Sequence, residues 1–220
     1  MSAPALQLYS YWRSSAAYRV RIALNLKGLP HSIVPTNLAP GVLEQRSAAY
    51  RRVNPQGLVP ALVDGGRVLA ESLAIIEYLD ELHPAPRLLP ADPYARARVR
   101  WLAQLIACDI HPLNNSRVLG YLKERLQQDQ AAIDTWYRHW ISEGFAALEA
   151  LARESSTDGT RLYGSELSLA DVLLVPQMYN ARRFATPLVG FPTLTAICAS
   201  LEALPAFAAA RPEAQPDADR

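Results

Sequence analysis

The sequence predicts two architectures in series: a small α/β unit of about 80 residues, then a region built only of helices. Strand-like and helix-like stretches alternate through the first part in the order strand, helix, strand, helix, hairpin, helix. Four prolines within residues 83–93 make a stiff, extended linker that is hostile to helix continuation. Beyond Pro93 the apolar repeats have helical spacing. At 220 residues the chain suits one large domain or two small ones, with ample material for a core.

The short apolar run from Leu6 reads as the first strand. After Arg13 the spacing turns helical, with Val20, Ala23 and Leu24 on one face, Arg19, Arg21 and Lys27 off it, and Gly28 closing the helix. Ser14 and Ser15 stand at the junction, and serine caps helices by accepting their first N–H groups. Hydroxyls and open amides at a helix start also suit an anion such as a thiolate, because the helix dipole adds positive potential there. On this stretch alone an ordinary cap is the leading reading. His31–Leu38 alternates as a strand, which Pro35 confines to a sheet edge or an irregular region. A short polar helix fits 42–51. Two apolar runs around Asp64-Gly65-Gly66 predict a tight hairpin, and Pro60 enters its first strand where a cis bond is tolerated. Glu71 and Ser72 then open a helix, with Ser72 a suitable cap, Leu73, Ile76 and Leu79 on one face and Glu77, Asp80 and Glu81 on the other.

Asp92 followed by Pro93 is a cap with a first-turn proline, so a helix starts there. It turns Val99, Leu102, Leu105 and Ile106 inward and stops near His111-Pro112. Leu113–Leu119 is polar where a core helix would be apolar. A second long helix covers 134–153, and residues 155–160 read as a surface loop. Ser168 and Asp171 have the spacing of a capping box, with Leu167 and Val172 as its hydrophobic staple. The helix that follows, 169–184, is almost wholly apolar up to Pro176 and is expected at the centre of the helical region. A last helix near 192–204 leads to a polar tail.

A net charge of +1 makes no electrostatic case for nucleic acid or an acidic membrane. No apolar stretch approaches the roughly 20 residues of a membrane helix, and the first residues lack the regions of a signal peptide, so a cytoplasmic protein is expected. Cys108 and Cys198 are too few for a disulfide framework and read as buried thiols. The four histidines are scattered without ligand spacing, so no metal is expected.

Five segments taken together resemble the zeta class of glutathione transferases: residues 9–24 (YSYWRSSAAYRVRIAL), 57–62 (GLVPAL), 71–79 (ESLAIIEYL), 87–93 (RLLPADP) and 168–177 (SLADVLLVPQ). They run nearly the whole chain in family order. The resemblance implies an α/β thioredoxin-like domain over 1–84 that holds glutathione, a linker over 85–92, an all-α substrate domain over 93–220 and, commonly, a homodimer. Within the class the chain is most similar to maleylpyruvate and maleylacetoacetate isomerases.

Position by position, the resemblance implies that Ser14 holds the glutathione thiolate and Ser15 adds a polar contact. The backbone of Val59 pairs with the cysteinyl part, and Glu71 and Ser72 hold the γ-glutamyl end. An ammonium suits a carboxylate, and a carboxylate suits a hydroxyl and amides at a helix start. His111 falls where the class places a polar residue facing glutathione, and Asn115 joins it if the chain stays helical past Pro112, putting His111, Asn114 and Asn115 on one face. The family's Ser-Ser-Cys is Ser14-Ser15-Ala16 here, so glutathione must supply the sulfur nucleophile, and alanine resembles the bacterial maleylpyruvate isomerases. The implied reaction converts a maleyl oxo-acid to its fumaryl isomer: a thiolate adds to the alkene, the new single bond rotates, and elimination returns the thiol. Arg13, Arg117 and Arg183 are candidates for the two substrate carboxylates, Arg13 and Arg183 also for catalysis as cations beside the enolate. Two alternatives stand beside this: a general transferase conjugating or dehalogenating small electrophiles such as α-halo acids, and a non-catalytic binding protein on the same scaffold.

Overall fold

The structure is a computed structural model and describes residues 6–218. The chain opens with β1 (Leu6–Ser10), α1 (Ser15–Leu26), β2 (His31–Pro35), a 3-10 turn (Glu44–Arg46), α2 (Ala48–Val53), β3 (Ala61–Asp64), β4 (Arg67–Ala70) and α3 (Ser72–Leu82). The strands form a mixed sheet in the order β2-β1-β3-β4, with β1 parallel to β2 and antiparallel to β3. This is the thioredoxin-like arrangement that the resemblance implies. Pro35 ends the edge strand β2, where its missing N–H leaves no gap in the ladder. Gly65 and Gly66, with φ of 56° and 84°, make the two-residue hairpin turn, a conformation that side chains with a Cβ resist.

The helical region comprises α4 (Pro93–Gln104), continuing through a π-helical turn (Leu105–Ile110), then α5 (Ser116–Glu124), α6 (Gln130–Ser155), α7 (Leu169–Arg183) and α8 (Pro192–Glu202). Asp92 caps α4 by accepting from the Ala95 N–H at 2.7 Å. All residues of α7 from Leu169 to Met178 are buried, and it packs on α4, α8 and the π turn. The π turn widens the backbone against Gly144 of α6, where an added Cβ would stand 2.2 Å from Ile110 Cγ1. Helix α5 escaped the sequence reading because all its residues are half-buried or exposed, leaving no core stripe to detect.

Two expectations change. The described parts of Met1–Pro86 and Leu204–Arg220 form one compact unit and Arg87–Ala203 the other. The residues after 204, expected as a tail of the helical domain, form α9 (Pro205–Ala210) and pack on α1. Phe207 and Ala210 are buried there, and Asn25 Nδ2 donates to the Ala206 carbonyl at 3.0 Å. A six-residue helix is too short to declare a period. Arg19, Arg21 and Lys27, read as lying off the apolar face, are 2%, 1% and 9% exposed, because α1 is covered by α3 and α9 as well as by its apolar packing. Lys27 is compensated by Asp80 at 2.8 Å and the carbonyls of His83 and Pro86. Among the described residues no helix is long and apolar enough to cross a membrane.

Candidate functional site

The register brings three chain segments to one end of the sheet. Tyr9 of β1 stands opposite Ala61 of β3, and Ala61 opposite Ala70 of β4. The chain therefore leaves β1 towards Ser14, enters β3 from Val59 and leaves β4 towards Glu71 at the same edge. Tyr11, Tyr50 and Val59 form a buried cluster there, packed by Tyr9, Trp12 and Leu38.

On the first segment Ser14 is the N-cap of α1, its Oγ accepting the Ala17 N–H at 3.2 Å. Ser15 is buried in the first turn. The Arg13 guanidinium lies 4.6 Å over the Trp12 ring and donates to the Tyr11 hydroxyl at 3.3 Å. On the second segment the Leu58 carbonyl accepts from Tyr50 Oη at 2.7 Å and Asn54 Nδ2 at 2.8 Å, which fixes the chain just before the cis Val59-Pro60 bond. Burial pushes the Tyr50 hydroxyl upward, so it stays protonated and donating.

On the third segment Glu71, not Ser72, occupies the N-cap of α3, with φ of 67°. That left-handed conformation is uncommon for a residue with a side chain. The Glu71 carboxylate accepts from Gln56 Nε2 at 3.0 Å and is otherwise turned to the exterior. Ser72 takes the first helical position, and its Oγ accepts from the Arg19 guanidinium at 3.2 Å. Gln45 is the residue sequence reading passed over: it is 6% exposed, and its Oε1 has no hydrogen-bond partner among the described residues. Its own carbonyl lies 3.0 Å from where a Cβ on Gly57 would stand, two residues before Val59. Lying in a polar stretch without periodicity, it gave no signal.

In the helical unit the expected shared face of His111, Asn114 and Asn115 does not form. The helix ends in the π turn with His111 as its cap, and residues 111–114 are a turn. Asn114 is buried instead, donating to the Tyr137 carbonyl at 3.2 Å, and Asn115 caps α5 by accepting the Arg117 N–H at 3.0 Å. Proline at 112 cannot donate the bond that a continuing helix would need. The Tyr137 ring stacks on Phe184 with centroids 3.5 Å apart, and the Arg183 guanidinium lies 5.1 Å from the Phe184 ring. Burial pushes the Tyr137 hydroxyl up, with Arg183 opposing it. The Asn114 turn and the exposed Arg183 thus meet through α6, while Arg117 is exposed on α5.

Cys198 is buried, and its thiol is pushed up to about 12, chiefly by burial, which leaves it a poor nucleophile. Cys108, expected to be buried, is exposed on the π turn. Among the described residues no three His, Cys, Asp or Glu side chains are grouped to hold a metal.

A family model described as "Glutathione S-transferase, N-terminal domain" matches residues 8–87. A Vibrio cholerae serotype O1 protein named "Probable maleylacetoacetate isomerase" is 53% identical, over 97% of this chain and 99% of its own. The solved holo structure of a maleylpyruvate isomerase, described as a bacterial glutathione S-transferase of the zeta class, superposes with a TM-score of 0.93 at 47% identity, over 96% of this chain and 99% of that one. A maleylacetoacetate isomerase from Anaeromyxobacter dehalogenans 2CP-1, with GSH bound in its active site, gives 0.86 at 43% identity, over 97% and 98%. Fold and sequence alike are those of a glutathione S-transferase. Within that family the chain belongs to the zeta class of the maleylacetoacetate and maleylpyruvate isomerases.

Proposed function

We propose that this chain is a glutathione-dependent cis-trans isomerase of a maleyl oxo-acid, acting in aromatic catabolism in the cytoplasm as a homodimer. The observation that carries the site is the convergence of the Ser14 cap, the Val59 entry and the Glu71 carboxylate at one sheet edge. Those groups fit glutathione in kind. Ser14 Oγ already accepts the Ala17 N–H, so its hydroxyl proton remains to be donated to an anion, and the positive end of α1 favours the same charge. Glu71 offers a carboxylate to the γ-glutamyl ammonium, and Ser72, accepting from Arg19, keeps its own proton for the γ-glutamyl carboxylate. Val59 offers its backbone to the cysteinyl part, and the unpartnered Gln45 carboxamide is a further polar group for the peptide. Ser15 adds its hydroxyl to the first turn, and from the helical unit His111 and Asn115 are proposed towards glutathione.

Bound there, glutathione supplies the thiolate that opens the alkene to rotation, which this chain lacks at Ala16. Arg13, Arg117 and Arg183 are proposed to bind the substrate carboxylates, because a guanidinium grips a carboxylate through two parallel bonds. Arg13 and Arg183 also place positive charge where the oxo group gains negative charge.

The test is loss of the maleyl chromophore with maleylpyruvate and with maleylacetoacetate, each with and without glutathione. Turnover that needs glutathione without consuming it is expected, and the faster substrate names the enzyme. His111→Ala is expected to raise KM for glutathione, and Arg183→Ala to raise KM for the substrate and lower kcat. Stoichiometric consumption of glutathione would assign the chain to the general transferases instead.

A further inference from the structure

We propose that Asp217 is a positioning residue: the C-terminal segment holds the Trp12 peptide and thereby sets the β1–α1 loop that carries Arg13 and Ser14. The inference rests on the reading of that loop as the glutathione site. The Trp12 N–H donates to Asp217 Oδ2 at 3.0 Å across 205 residues of sequence, and Asp217 is only 5% exposed. The carbonyl side of the same residue is bound as well, since Arg21 Nη2 donates to the Trp12 carbonyl at 3.0 Å. Buried charges of opposite sign therefore hold Trp12 from both ends.

Arg21 also joins the loop to the tail. Its guanidinium donates to Ser10 Oγ at 2.9 Å, to the Tyr11 carbonyl at 3.4 Å and to the Ala210 carbonyl at 3.0 Å. Capping α1 requires none of this, because Ser14 performs it with its own hydroxyl. What the two charges fix is the residue directly before Arg13, by the peptides on both its sides, and the Arg13 guanidinium rests 4.6 Å over the ring of that residue, Trp12. Helix α9 brings the tail to the place, with Phe207 buried and Asn25 holding the Ala206 carbonyl. Hydrogen bonds to an ionised group are about twice as strong as neutral ones, so a carboxylate is the acceptor suited to immobilising one half-buried loop amide.

The experiment compares Asp217→Ala and Asp217→Asn with the wild type in the full chain, by hydrogen exchange at the Trp12 amide and by kcat and KM with glutathione and both maleyl substrates. In Asp217→Ala the Trp12 amide is expected to exchange about tenfold faster and kcat to fall about tenfold, with KM for glutathione within about twofold, as loss of one charge-assisted bond predicts. Asp217→Asn keeps an oxygen that accepts the same N–H and is expected to recover most of the loss. Unchanged Trp12 exchange in Asp217→Ala, an unchanged kcat, or an asparagine variant no better than alanine overturns the proposal. If Asp217→Ala does not fold, Asp217→Ser, too short to reach the amide, takes its place with the same expected values. A wild type that turns over neither substrate defeats the functional reading, while Trp12 exchange still decides whether Asp217 holds the loop.

Discussion

The serine-capped starts of α7 and α1 are finished in opposite ways. At the start of α7 the wholly buried Asp171 accepts the N–H groups of Leu162 and Ser168 and the Ser168 hydroxyl proton, each at 2.8 Å. At the start of α1, Ser14 is half-buried, caps with one 3.2 Å bond, and no acidic residue stands in the first turn. Helix α7 neutralises its positive end with its own carboxylate and buries the result. Helix α1 leaves its positive end without a carboxylate, which suits the anion of the proposed site. A serine at a helix start thus says little by itself: at α7 the acid three residues later completes the cap as scaffold, and at α1 its absence leaves the positive end without a carboxylate.

Removing the acid should break the contrast most severely. Asp171→Ala leaves two backbone donors and a hydroxyl without their acceptor inside the fold and is expected to cost roughly 4 kcal/mol, read from urea denaturation midpoints. The pH dependence comes next. Burial raises the Asp171 carboxyl from 3.8 to about 6, against the lowering bonds from Leu162 and Ser168. The folded chain then holds this proton more tightly than the unfolded one, so its contribution is fully present below 3.8 and is lost as pH rises through about 6. The loss is about 3 kcal/mol at most, and denaturation midpoints between pH 4 and 7 should slope downward in the wild type and lose that slope in Asp171→Asn.

A smaller effect is expected away from both starts, at Gly144. A Cβ there stands 2.2 and 2.3 Å from Ile110 Cγ1 and Cδ1, and Gly144→Ala should cost about 2 kcal/mol in thermal or chemical unfolding as the π turn shifts. Ser14→Ala should have the smallest effect on stability, about 1 kcal/mol for one cap bond. Its mark falls on function: slower isomerisation and a pH–rate profile moved to higher pH, because the bound thiol loses its donor. A profile identical to the wild type would place Ser14 with Ser168, as scaffold alone.

Much of this was written locally. The hairpin at Gly65-Gly66, the Asp92-Pro93 start, the Ser168/Asp171 box and the order of the α/β elements depend on neighbours within a few residues, and the sequence carries those neighbours side by side. The candidate residues Ser14, Val59 and Glu71 were legible through motifs, and their meeting at one edge follows from strand order and register. What only the tertiary structure decided is where charge goes. Arg19, Arg21 and Lys27 look like solvated cations on an amphipathic helix, and they are buried because α3 and α9 cover the side that periodicity assigns to water. Asn114 and Asn115 look like a polar face, and Pro112 with the π turn sends one inward and makes the other a cap. Asp217 looks like part of a polar tail, and it holds an amide 205 positions away. Local signals fix elements because backbone bonding and turn chemistry act over a few residues. The partners of long charged side chains lie far along the chain, and only packing brings them within reach.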